Sequence, residues 1–101
     1  MKLRQIAHSR TGDKGPLINI SVIAFDENDY PRLERLVTAE RVAAHLSDFV
    51  RGEVVRYELP LVGALNFVFS RGPSESVTRT LALDTHGKSL SSALLEMDLP
   101  D

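Results

Sequence analysis

Between Leu17 and Phe25 the chain alternates. Ile18, Ile20, Val22 and Ala24 fall on one face of an extended segment, and Leu17, Asn19, Ser21, Ile23 and Phe25 fall on the other. With its β-branched content, this period of two predicts a strand. A weaker alternation from Leu3 to His8 predicts a strand just before it. The stretch Ser9–Pro16 between them, punctuated by two glycines and a proline, reads as a loop. The two strands are close enough to pair as an antiparallel hairpin.

Downstream the period changes. Asp26-Glu-Asn-Asp29 is a turn able to cap a helix over Tyr30–Val37, with Pro31 tolerated in the first turn. Thr38 is a good N-cap for a second helix, whose stripe Val42, Leu46, Phe49 and Val50 ends near Gly52. Val54–Leu59 predicts a strand stopped by Pro60. Leu61–Ser70 fits two periods. Leu61, Ala64, Leu65 and Val68 suit a helix, and Leu65, Phe67 and Phe69 suit a strand; the flanking Pro60 and Arg71-Gly72 favour the helix. Gly72–Ser76 reads as a turn, Val77–Leu83 as a strand and Asp84–Gly87 as another turn. Lys88–Met97 reads as a last helix, followed by a loose tail from Asp98 to Asp101. Strands interspersed with helices predict a single α+β domain over residues 1–101. Its expected form is a ferredoxin-like two-layer sandwich with a mostly antiparallel sheet and helices on one face.

Composition narrows the function classes. Hydrophobic content of 43% and charged content of 26% in 101 residues predict one folded core. A net charge of −2 without long charge blocks speaks against a nucleic-acid surface or a polybasic membrane patch. With no cysteine, this chain offers no thiolate metal site, cluster or cysteine nucleophile. His8, His45 and His86 lack a short metal spacing, so neither a metal nor a cofactor is expected. Met1-Lys-Leu-Arg-Gln lacks the apolar region of a signal peptide and no apolar run is long enough to span a bilayer. A cytoplasmic location is the expectation.

Three segments could carry chemistry. In Arg10-Thr-Gly12-Asp13-Lys14-Gly15 the glycines permit close approach to the backbone, and successive loop N–H groups can form an anion-binding nest. Arg10 and Lys14 would add positive charge, Asp13 could orient them or act as a base, and Asn19 could return an amide to the loop. The spacing is too short for a phosphate-binding P-loop of the Walker type, and on spacing alone a polar hairpin turn is the favoured reading. Asn66, among apolar neighbours, either binds ligand or ties two elements together. Asp84 and Lys88 either close a turn or contact an anion. His8 adjoins the glycine segment and could form an acid–base pair with Asp13; a structural histidine is the commoner case.

Ser9-Arg-Thr-Gly-Asp-Lys-Gly15 followed by Asn19-Ile20 resembles the opening motif of the AtuA-like ferredoxin-fold domain family, named for acyclic terpene utilisation. Val55-Arg-Tyr-Glu-Leu-Pro60, Leu65-Asn-Phe67 and Leu83-Asp84 with Gly87-Lys88 resemble its later blocks, in order. Pro16-Leu17-Ile18, Arg71-Gly-Pro-Ser74 and Ala82 depart from the family pattern. The resemblance tilts the Arg10–Gly15 segment from turn towards site. It implies a ligand-binding set of Arg10, Gly12, Asp13, Lys14, Gly15, Asn19, Asn66 and Lys88. It also implies an accessory subunit or domain beside a larger AtuA-type protein, in the breakdown of branched acyclic terpenoid or related acyl-CoA compounds. Two alternatives stand beside this: a homo-oligomeric module that binds a small ligand or is structural, and an independent enzyme on an acyl-CoA or small anionic carboxylate, with His8 or Asp13 moving a proton.

Overall fold

The computed structural model describes residues 1–14, 17–47, 50–70 and 90–100, with positions 13, 14 and 51 described by backbone only. Its strands are β1 (Ala7–Lys14), β2 (Leu17–Ala24), β3 (Arg51–Leu59) and β4 (Ala64–Ser70). Its helices are α1 (Tyr30–Leu36), α2 (Ala39–His45) and α3 (Leu90–Leu95). The strands form one sheet in the order β1-β2-β4-β3, and every described pairing is antiparallel. The α+β sandwich with helices packed on an antiparallel sheet is therefore the architecture observed.

Side-chain alternation divides the sheet into two faces. Ile18, Ile20 and Val22 of β2 and Leu65, Phe67 and Phe69 of β4 are fully buried on one face. There they join Leu33, Val42, Leu90 and Leu94 from the three helices in a single core. The strand expected over Leu17–Phe25 is β2, which ends at Ala24 and lies inside the sheet.

Local signals at the helix starts also hold. The Asp26 carboxylate accepts from the Asn28 N–H at 2.9 Å and caps a 3-10 turn over Glu27–Asp29 that leads into α1, whose first turn holds Pro31. The Thr38 hydroxyl accepts from the Arg41 N–H at 3.1 Å. At the far end of α1, the Arg56 guanidinium donates to the Glu34 carbonyl at 2.7 Å and the Val37 carbonyl at 3.1 Å. These are among the carbonyls that a helix C-terminus leaves without a partner.

Five expectations are corrected. Leu3–Gln5 is a 3-10 turn, and the strand begins at Ala7. A spacing of three lets Leu3 and Ile6 both enter the core, which strict alternation would forbid. The segment Ser9–Lys14 belongs to β1 and is not a loop: its pairing with β2 continues through Gly12↔Asn19 to Lys14↔Leu17. Residues 64–70 form strand β4 rather than a helix. A 3-10 turn at Pro60–Val62, closed by Gly63 at φ +62, reverses the chain into it. The second helix stops at His45, and β3 begins at Arg51 with an irregular register before Val55. The tail is tied down as far as Leu99. The Leu99 N–H donates to the Met1 carbonyl at 2.7 Å, the Leu3 N–H donates to the Met97 carbonyl at 2.9 Å, and Leu99 is buried. The helix expected over Lys88–Met97 appears as α3. The turns at Gly72–Ser76 and Asp84–Gly87 and the strand at Val77–Leu83 lie outside the described residues.

Candidate functional site

The face of the sheet turned away from the described helices gathers most of the candidate residues. Even-numbered positions of β1, odd-numbered positions of β2 and β3 and even-numbered positions of β4 share it. Cross-strand pairing places Arg10 opposite Ser21, Ser21 opposite Asn66, and Asn66 opposite Tyr57. One polar row therefore crosses all four strands. The adjacent row runs Gly12, Asn19, Val68 and Val55. Strands stand about 4.8 Å apart, so Arg10 and Asn66 are separated by roughly 10 Å along the row.

Gly12 and Asn19 are in close register. A Cβ at position 12 would come within 3.2 Å of Asn19 Nδ2 and 3.3 Å of its Oδ1. The missing side chain is what lets the Asn19 carboxamide lie over the β1 backbone. Arg10 is exposed, and Asn19, Ser21 and Asn66 are half-buried. Among the eight positions of the two rows Arg10 alone carries a formal charge. The lane thus offers a guanidinium, two carboxamides and two hydroxyls on a floor flanked by Val55 and Val68. Such a set can hold an anionic or carbonyl-bearing group by hydrogen bonds, with one charge to orient it.

The remaining candidates lie outside the two rows. Asp13 pairs with Ile18 and Lys14 with Leu17 along the backbone ladder. Extended pairing replaces the expected loop, so Arg10–Lys14 does not form a compact anion nest. Positions 8 and 13 are an odd number of residues apart on β1 and so belong to opposite faces. His8 stacks on Phe25, with ring centroids 5.5 Å apart. Gly15 and Lys88, with Asp84 and His86, lie outside the described residues. Asn66 sits on β4 and not on a helix. Its apolar neighbours Leu65 and Phe67 point into the core, and among the described residues no hydrogen bond ties its carboxamide to another element. Sequence reasoning overlooked Ser21. Its signal was available, since it shares the polar face of β2 with Asn19.

The other face of β1 has a structural role. The Thr11 hydroxyl accepts from the Ser91 N–H at 2.9 Å, satisfying an N-terminal donor of α3 across 80 residues of chain. His45 Nε2 lies 2.8 Å from the Ala93 carbonyl and links α2 to the same helix. Among the described residues no group of three His, Asp or Glu side chains could hold a metal ion. No described helix is long and apolar enough to cross a membrane.

Residues 1–100 match a family model, that of the AtuA ferredoxin-like domain. No curated protein and no solved structure matches the chain.

Proposed function

The chain belongs to the AtuA ferredoxin-like domain family, and from that premise we propose that it is an accessory subunit or domain completing a shared site on a larger AtuA-type protein. The site serves the catabolism of branched acyclic terpenoid or related acyl-CoA compounds. The observation that carries this reading is the polar row Arg10–Ser21–Asn66–Tyr57 on the sheet face away from the described helices. Among the described residues such a row has binding groups but no enclosing wall; a second protein surface would supply it. Arg10 would orient a carboxylate or phosphate, and Asn19 and Asn66 would contact an amide or carbonyl.

The test is co-expression of this chain with the large AtuA-type protein of the same organism, followed by light scattering on the purified mixture. A stable complex, weakened by Arg10→Ala with the fold intact, is expected. Failure of the two proteins to associate at micromolar concentration would rule the reading out. The exposed Val55, Tyr57 and Leu59 on the same face support a second reading, a homo-oligomeric ligand-binding module. Light scattering on the chain alone distinguishes it.

A further inference from the structure

A third row lies on the same face, on the other side of the polar row. His8 stands opposite Ile23, Ile23 opposite Ala64, and Ala64 opposite Leu59. From Ile23 to Leu59 this row is apolar. Across the sheet the face therefore changes character. Arg10 stands on β1, the carboxamides of Asn19 and Asn66 and the hydroxyl of Ser21 on β2 and β4, and the exposed Val55, Tyr57 and Leu59 on β3.

The apolar end deepens. Beyond Leu59 the chain turns through Pro60, Leu61 and Val62, and these four residues with Glu58 line an open concavity of about 310 Å³. That volume is at the small end of the range for small-molecule sites. Leu59 belongs both to the third row and to the concavity, so the two are continuous. The turn holds its shape through the Gly63 N–H, which donates to the Pro60 carbonyl at 3.1 Å, and through Gly63 at φ +62. Four of the five lining residues offer only hydrocarbon side chains, which favour an apolar occupant.

Charge fixes the direction. A carboxylate at Glu58 would repel an anionic head at the concavity, and the Arg56 guanidinium beside it at 3.4 Å already donates to the Glu34 and Val37 carbonyls. Arg10, at the far edge of the described sheet, is exposed and attracts such a head. We infer that this face binds an amphipathic anion lengthwise across the sheet, with its charged head at Arg10 and its aliphatic tail in the Leu59–Val62 concavity. From β1 to β3 the span is roughly 14 Å, so a short anion reaches one end only. This rests on the reading of the polar row as a binding site, and adds which end takes the charge and which the chain.

NMR shift mapping of the chain with hexanoate, decanoate and decanol tests it. Decanoate is expected to bind at least about tenfold tighter than hexanoate and to shift both Arg10 and Leu59–Val62. Decanol should bind more weakly than decanoate and shift the concavity alone. Arg10→Gln should weaken decanoate several-fold and leave decanol unchanged. Leu59→Asn should erase the preference for the longer chain; Val62→Thr, which keeps the side-chain shape, makes the same test if Leu59→Asn lowers the melting temperature. The concavity is lined by this chain alone, so the isolated protein suffices. Equal affinity for hexanoate and decanoate, a length preference that survives both substitutions, or no binding at all overturns the inference. None of these touches the accessory reading, which complex formation decides. A ligand-free homodimer that Leu59→Asn disperses assigns the apolar end to a second copy and also overturns it.

Discussion

The carboxamide of Asn19 lies over the Cα of Gly12, so close that a methyl group at position 12 would meet its nitrogen at 3.2 Å. Glycine in a strand is ordinarily a weakness, because it adds backbone entropy and no packing. Here it makes room. The obstructing atoms are the end of a flexible side chain, so Gly12→Ala should fold and lose about 1 kcal/mol or less, with the Asn19 amide displaced. In an Asn19→Ala background the same change should be neutral or stabilising. A double-mutant cycle by denaturant unfolding measures the coupling. Simple additivity would show that the two residues do not share this space.

Thr11 caps α3 from the far end of the chain. Thr11→Val keeps the shape and removes the acceptor, leaving the Ser91 N–H without this partner. A loss of about 1 kcal/mol is expected, the usual value of a helix cap, and Thr11→Ser should retain most of it. The Ser91 amide should exchange with solvent faster in Thr11→Val than in wild type. Equal exchange in the two proteins would mean the hydrogen bond contributes nothing.

What the sequence made legible was local. Asp26 and Thr38 mark helix starts through bonds to N–H groups two and three residues on, Pro31 marks one by its place in the first turn, and the alternation at Ile18, Ile20 and Val22 marks a core strand unaided. What it hid was decided by pairing across the sheet. Arg10–Lys14 is polar and glycine-bearing, yet it is extended because β2 supplies a ladder for it. Ala64–Ser70 carries apolar residues at both periods, and its place between β2 and β3 settles the matter. A local signal did exist there: Pro60 and Gly63, three residues apart, form the turn that starts a new strand. The candidate site followed the same rule. Arg10, Gly12, Asn19 and Asn66 were identifiable as residue types, while the row that joins Arg10 and Asn66 to Ser21 and Tyr57 across four strands, with Gly12 and Asn19 in the row beside it, exists only in the register.

Leu99 shows how a lone apolar residue can be misjudged. Flanked by Asp98 and Pro100, it looks like tail, but it is 3% exposed and its N–H bonds to the Met1 carbonyl. Lys2 and Asp98 pair beside it at 3.1 Å. Leu99→Ala should cost about 2 kcal/mol, the low end for a buried leucine, because a terminal segment can close partly on the space. Lys2→Ala should cost under about 1 kcal/mol, since that pair is exposed. Urea unfolding of both variants checks the ranking; a smaller effect for Leu99 than for Lys2 would return the segment to the status of a loose tail.

Tyr30 sets an alkaline limit. Burial raises its phenol above the ordinary tyrosine value, and the negative charges of Glu34 and Glu58 raise it further against an opposing effect from Arg56. The folded protein therefore holds the phenolic proton more tightly than the unfolded chain does. Below the unfolded value of about 10 both states keep the proton and the contribution to stability is complete. As pH rises beyond that value, the unfolded chain ionises first and stability falls, through to the folded value. The hydroxyl is buried and makes no hydrogen bond of good geometry among the described residues, with the Glu34 carboxylate its potential acceptor. Tyr30→Phe should thus change stability by under about 1 kcal/mol at pH 8 and lose less of it between pH 9.5 and 11. The comparison is the difference between wild type and variant at each pH, which isolates the contribution of Tyr30. Parallel stability curves for the two proteins would show that Tyr30 ionises alike in both states.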